Sequence, residues 1–327
     1  MDNAIPAPAD LTALPFSDLL VEEQPDRCRY LRTSDSPDMD PVPEPLWTVL
    51  GALRAAMEEA KAEQFRMIWP QSDTESGLRL RVQRRNTSRG VVFVARRIDA
   101  IVRSFDQLGI PDGILRQLRD SRLRDGLVLF SGGPGAGKTT AACAMLVDRM
   151  RQHGGLTWTA ENPIEYDLHG SHGRGLCYQE DIGSDEEVFR VFRETVRSAP
   201  GAYKAFYIGE IREERAAKAA CLAAASGLLV VSTIHSGTPQ EALLKMGVLT
   251  GDFGAVSQSL RAVLALRLEH RLTANNGPEK VLKAQPLFVM EESIRMKIRD
   301  GNMSALNSDI ERQGNAVMMG AFNGRWI

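Results

Sequence analysis

An α/β protein in two parts is predicted, a domain built on a mostly parallel sheet preceded by a smaller α+β domain, and three observations predict it. Beyond about residue 104, short apolar runs alternate with helical segments, the pattern of a mostly parallel sheet covered on both faces. One of those runs ends in a glycine-rich loop that opens a helix. The head of the chain differs, because half of the 16 prolines fall in its first 45 residues. Proline lacks the amide proton and fixes φ, so long regular elements are not expected there. With 327 residues the chain is long enough for two cores.

Taken in order, residues 1–13 read as a disordered tip, 14–103 as the small α+β domain and 104–327 as the P-loop domain with C-terminal helices. Phe16–Val21 and Cys28–Leu31 are short strand candidates. Leu46, Val49, Leu50, Leu53 and Met57 recur at helical spacing and predict an amphipathic helix. Residues 78–82 and 91–95 read as strands joined by a polar turn. Leu108, Ile110, Ile114, Leu115 and Leu118 mark a connector and helix into the second domain. There the strand candidates are Leu127–Phe130, Leu156–Thr159, Ala205–Ile208 and Leu228–Ser232, with a helix over about 138–153. Ser184 to Glu187 form a capping-box sequence opening a helix whose Val188, Phe192 and Val196 are expected to face inward. Gly227 suits a helix C-terminus.

Charge and cysteine usage narrow the class. Residues 1–45 carry ten acids against three arginines, while the whole chain is only −2, so bulk electrostatics give no reason to expect nucleic acid. Cys28, Cys143, Cys177 and Cys221 are far apart, so reduced, buried thiols are expected and a structural zinc site is not. The acidic N-terminus has no basic start or apolar core, so no export signal is expected. The longest apolar stretch, Ala219 to Val231, is too short to span a bilayer, so the expected location is cytoplasmic.

Gly132, Gly133, Pro134, Gly135, Ala136, Gly137, Lys138 and Thr139 satisfy the G-x-x-x-x-G-K-[ST] pattern, with Thr140 following. Glycines let successive backbone N–H groups wrap phosphate oxygens. Lys138 is placed to reach the β- and γ-phosphates of ATP and the Thr139 hydroxyl to hold Mg2+. The loop follows a strand candidate and precedes a helix, the context this motif requires. Kinases, GTPases, helicases and transporters share such a loop, so later residues must narrow its use.

Three later segments do so. Glu161-Asn162-Pro163-Ile164-Glu165-Tyr166 resembles an aspartate box, Tyr207-Ile208-Gly209-Glu210-Ile211-Arg212 a Walker B ending in G-E, and Ser232-Thr233-Ile234-His235-Ser236 a histidine box. Together they resemble the type II/type IV secretion and type IV pilus ATPase superfamily, with the PilT-like retraction branch and the Dot/Icm-type ATPases the most similar. The run from Glu291 to Gly301 resembles a C-terminal helix of the retraction motors. Asn162 stands where the box usually has aspartate, and Leu228 where those motors usually have a second histidine.

The resemblance implies a RecA-like ATPase domain, a PAS-like N-terminal domain and a homo-hexameric ring. It also implies work on platform proteins of a pilus, conjugation or secretion machine, peripheral to the inner membrane through those partners. Glu210 is then the candidate that activates water, with Glu165 near Mg2+ and Glu161 as a further acid. His235 is a γ-phosphate sensor or a structural histidine. Arg81 and Arg96, within an arginine-rich stretch from 79 to 103, match arginines that reach a nucleotide from a neighbouring domain. A solvated face or a nucleic-acid strip are the other readings of that stretch.

Overall fold

A computed structural model of the chain describes residues 10–32, 38–70, 77–98, 102–198, 203–273, 277–322, 324 and 326. The chain divides into two compact units, Met1–Ala100 and Ile101–Ile327. Of the expected disordered tip, residues 1–9 lie outside the described residues, but Leu11–Ala13 form a 3-10 turn rather than disorder. Asp10 caps this turn through the Thr12 amide, and Leu11 is fully buried; one apolar anchor and one cap suffice to order it.

The first unit has strands β1 (Asp18–Val21), β2 (Arg29–Leu31) and β3 (Asp40–Pro41), then helix α1 (Trp47–Glu59), then β4 (Gln64–Trp69), β5 (Leu78–Thr87) and β6 (Gly90–Arg97). The sheet order is β3-β2-β1-β6-β5-β4, each pairing antiparallel. Leu50, Leu53 and Met57 of α1 are buried in one cluster with Leu19, Val21, Leu80, Val82 and Phe93, and each such side chain contributes roughly 1.5–3 kcal/mol. Strand β4 was not anticipated, because Phe65, Met67 and Trp69 are only half-buried and alternate with the exposed Gln64, Arg66 and Ile68. It adds Arg66 opposite Arg81, which in turn lies opposite Arg96. Like charges directly opposed across strands are unfavourable. The row ends on an acid, since Arg96 donates to Asp18 at 2.8 Å.

The second unit opens with a 3-10 turn at Phe105–Leu108 and helix α2 (Asp112–Arg119). There follow β7 (Gly126–Ser131), α3 (Lys138–His153), β8 (Gly155–Glu161), β9 (Gly170–His172), β10 (Gly175–Asp181) and α4 (Val188–Arg197). Then come β11 (Lys204–Ile208), α5 (Glu214–Ala225), β12 (Leu229–Ile234), α6 (Pro239–Thr250) and α7 (Phe253–Ser259). The unit ends with β13 (Leu260–Thr273), β14 (Gly277–Phe288), α8 (Glu292–Arg299) and α9 (Asn307–Met318). Its sheet runs β14-β13-β7-β12-β11-β8-β10-β9. The six inner strands are parallel, and antiparallel β14 and β9 close the two edges. Strands β7 and β12 are buried at every position. One face packs with residues of α4 to α9 and the other with residues of α2, α3 and the end of α9, so the expectation of a mainly parallel, doubly covered sheet holds for its inner strands.

Helix α4 corrects one detail. Val188, Val191 and Thr195 face inward, Phe192 is only partly buried and Val196 is 37% exposed. A step of four residues advances about 40° beyond a full turn, so positions 188, 192 and 196 drift off the core while 188, 191 and 195 stay on it. The capping box is also not formed: Glu187 accepts from the amide of Gly183 at 2.7 Å, and Ser184 makes no side-chain cap bond.

All four cysteines are buried. Burial pushes the thiols of Cys28, Cys143 and Cys177 up and that of Cys221 to about 11. Since the thiolate is the reactive form, none of the four should react within minutes with a disulfide reagent on the native protein. All four are expected to titrate at once in denaturant; a fast native thiol would contradict this packing.

Candidate functional site

The candidate residues of the second unit converge because of strand order. Strands β7, β12, β11 and β8 are consecutive neighbours. At or just beyond their C-terminal ends come the glycine loop, His235, Glu210 and Glu161 respectively. In open parallel sheets this end is where ligands bind.

The loop from Gly132 to Gly137 joins buried β7 directly to α3. Gly132 is held there by space, since a Cβ would lie 2.5 Å from the Leu266 carbonyl oxygen. Gly137 has φ +85° as it opens the helix, a conformation natural to glycine. It leaves the first amides of a 16-residue helix unmet by any side-chain cap, where the helix dipole favours an anion. Lys138 is only 7% exposed, with Nζ 2.9 Å from the Gly133 carbonyl oxygen. Burial holds its ammonium below the ordinary lysine pKa; Glu210 and Glu165 oppose that shift and Lys245 adds to it.

Lys138 Nζ also lies 3.3 Å from His235 Nδ1, and His235 Nε2 lies 3.1 Å from Glu210 Oε1. An ammonium can only donate, so Nδ1 is the acceptor towards Lys138 and Nε2 is the donor towards Glu210. Glu210 Oε2 accepts from Arg212 Nε at 2.8 Å. The carboxylate is thereby held by two donors while His235 links it to the loop lysine. Lys245 Nζ approaches the His235 carbonyl oxygen at 3.4 Å.

The acidic segment lies beyond β8. Glu161 is 1% exposed and accepts from Gln179 Nε2 at 2.9 Å. Glu165 is exposed, and its charge reaches Lys138. Thr140, in the first turn of α3, shares a 2.7 Å hydrogen bond with the Tyr166 hydroxyl. Asn162 donates from Nδ2 to the Gly183 carbonyl oxygen at 3.2 Å, which an ionised aspartate cannot do. Leu228 is buried in the apolar core beside α5.

The residues fit a phosphorylated nucleotide. The Ser131 hydroxyl at the loop's start and the Ser236 hydroxyl next to His235 are buried with no hydrogen-bond partner among the described residues. Buried hydroxyls are ordinarily paired, and a polar ligand would complete them. Among the described residues no three or more His, Cys, Asp or Glu side chains cluster as a metal site.

Arg81 and Arg96 belong to the first unit, and Arg66, beside Arg81 in the same row, was not singled out. Gln179, Arg212 and Lys245 were also missed as site residues. Arg212 had a signal, being part of the segment that ends β11. Gln179 and Lys245 had none, because they arrive through pairing and packing.

Over 197 residues the chain is 32% identical to the type IV pilus ATPase PilU of Pseudomonas aeruginosa, a match covering 60% of this chain and 49% of PilU. It is 31% identical to type II secretion system protein E of Klebsiella pneumoniae over 185 residues, 56% of this chain and 36% of that protein. The chain therefore spans half or less of the length of these two curated relatives. In structure it is similar to the pilus retraction motor PilT with bound ADP, at a TM-score of 0.69 and 22% identity, over 94% of this chain and 89% of that one. The Legionella pneumophila ATPase DotB gives a TM-score of 0.66 at 16% identity, over 92% and 82%. Those two likenesses concern the fold. The family model for type II/IV secretion system protein matches residues 62–310, three quarters of the chain, and the chain belongs to that family.

Proposed function

We propose that this chain is an ATPase subunit of a ring motor serving a type IV pilus, conjugation or secretion apparatus. The observation that supports it most is the line from Lys138 through His235 to Glu210 across three adjacent strand ends. Phosphoryl transfer needs a charge-neutralising clamp and an oriented water more than covalent chemistry. Lys138 and the loop amides bind the phosphates. Glu210 orients the attacking water and takes its proton. His235, bonded to both, shifts from Lys138 when phosphate arrives and reports occupancy to Glu210. Thr139 and Glu165 would hold Mg2+, which would supply charge neutralisation on the phosphates.

In the same reading the second unit is a RecA-like domain and the first a PAS-like one. Six copies form a ring, and Arg81 and Arg96 complete the nucleotide site within it. Its partners are platform proteins at the inner membrane. Among the described residues no helix is long and apolar enough to cross a membrane. One observation favours a second use, nucleic-acid translocation: the cross-strand row Arg66, Arg81 and Arg96. Stimulation of turnover by DNA or RNA separates the two.

The test is ATP turnover against protein concentration, with light scattering on the same samples. An arginine supplied to a phosphoryl site is worth ~10³–10⁵ in rate, so specific activity should climb as rings form and vanish with a chelator. Arg96→Ala should lower turnover without unfolding the chain. Because Arg96 also pairs with Asp18, Asp18→Asn is the control and should leave turnover near normal. Concentration-independent activity from a monomer would remove the ring from this proposal.

A further inference from the structure

Gln179 lies on β10, which runs parallel to β8 with Gln179 opposite Thr159. Its side chain reaches beyond that partner to the segment following β8. The carboxamide nitrogen donates to Glu161 Oε1 at 2.9 Å and to the Tyr166 carbonyl oxygen at 3.0 Å. Its oxygen accepts from the Leu168 amide at 2.6 Å. One neutral group thus ties together the carboxylate at the strand end and two points of the loop after it. Glu165 sits between those ties.

The residue type follows from this pattern. Two donors and an acceptor on one planar group are what a carboxamide has; lysine and arginine lack the acceptor, and a carboxylate lacks the donors. The amide's orientation is settled as well, since a flip would set its oxygen against two acceptors and its nitrogen against the Leu168 N–H. Glu161 is almost fully buried, and a buried carboxylate requires hydrogen-bond donors to remain charged. A guanidinium or ammonium there would supply donors but cancel the charge. The neutral amide holds the carboxylate without setting a charge of its own against it.

We infer that Gln179 is a positioning residue, which fixes Glu161 and the Glu165-bearing loop for turnover without itself contributing to nucleotide affinity. The inference rests on the ATPase reading above. A misplacement of about 1 Å in a reacting constellation can cost ~10²-fold in rate. Gln179→Met keeps the length and removes all three hydrogen bonds. Gln179→Glu keeps the acceptor for Leu168, removes both donors and sets a second carboxylate against Glu161.

Three quantities decide it: kcat and KM for ATP with Mg2+, the affinity of a fluorescent ATP analogue, and hydrogen exchange of the Leu168 amide in the nucleotide-free chain. Both variants should bind the analogue within about threefold of the parent and lose ~10–100-fold in kcat, with Gln179→Glu the worse. The Leu168 amide should exchange at least ~10-fold faster in Gln179→Met, since its acceptor is gone. If Gln179→Met does not fold, Gln179→Glu, which retains the Leu168 bond, carries the kinetic test. Unchanged kcat in the folded variant, or a loss confined to KM, overturns the inference. A parent with no turnover overturns the ATPase reading instead, and the Leu168 exchange rate then decides for or against the anchor.

Discussion

Lys138→Ala is expected to abolish nucleotide-dependent behaviour while leaving the chain folded. The ammonium stands in the first turn of α3 and is almost wholly buried, held by the Gly133 carbonyl and His235. Burial lowers its pKa, so the charged form is disfavoured in the folded chain relative to the unfolded one. The sign then matters. Below the folded pKa the lysine is protonated in both states and this penalty is fully present; it is relieved only as pH climbs through the folded pKa towards the ordinary lysine range. Alanine removes the penalty along with the side chain, so the variant should melt near the parent. A phosphate reverses the balance, because it sets negative charge against a poorly solvated cation. Turnover should fall at least ~10²–10³-fold, the scale for removing one preorganised donor to a developing charge. The rise in Tm that excess ATP gives the parent should disappear. Near-normal turnover in a variant with a normal Tm would mean that the loop after β7 is not the phosphate site.

How much of this was legible in sequence depended on contiguity. The phosphate loop must wrap one ligand with one stretch of backbone, so its residues are adjacent and its pattern is long. Glu210 and His235 were legible because their segments resemble a Walker B and a histidine box, and each follows an apolar strand, at the end where a parallel sheet keeps its chemistry. Their hydrogen bond to each other was not, since it depends on β11 and β12 being neighbours. Strand β4 was missed because its six residues alternate exposed and half-buried positions, with none fully buried. The long β13–β14 hairpin was missed for another reason. Its apolar half, around Leu260–Leu266, is buried, while Arg267 and Glu269 beyond it are charged, so no single period runs through it. Gln179 is a lone glutamine whose meaning arises only when β10 pairs with β8. The Ser184 capping box read correctly as a helix start and wrongly as a bond, because Glu187 finds the Gly183 amide first.

Glu210→Gln is expected to bind ATP and fail to hydrolyse it. The amide matches the carboxylate in shape and stays within reach of His235 and Arg212, but it cannot take a proton from water. General-base loss of this kind costs ~10²–10⁴-fold. Affinity should remain close to that of the parent, since Lys138 and the loop amides are untouched; a change in kcat with KM kept is the signature of an interaction made in the transition state. The structure adds a complication that the sequence did not reveal. Glu210 also holds His235 on Nε2 and pairs with Arg212, so the variant disturbs positioning as well as chemistry. Two further substitutions separate these effects. Arg212→Ala keeps the carboxylate and removes one of its two holders, so it should lower turnover far less than Glu210→Gln. His235→Ala removes the link to Lys138 and leaves the base, so it should change the response to ATP concentration more than the limiting rate. If Glu210→Gln turns over ATP like the parent, the base is elsewhere. Glu165 is then the better candidate, because it is exposed and its charge acts on Lys138, whereas Glu161 is buried and bonded to Gln179.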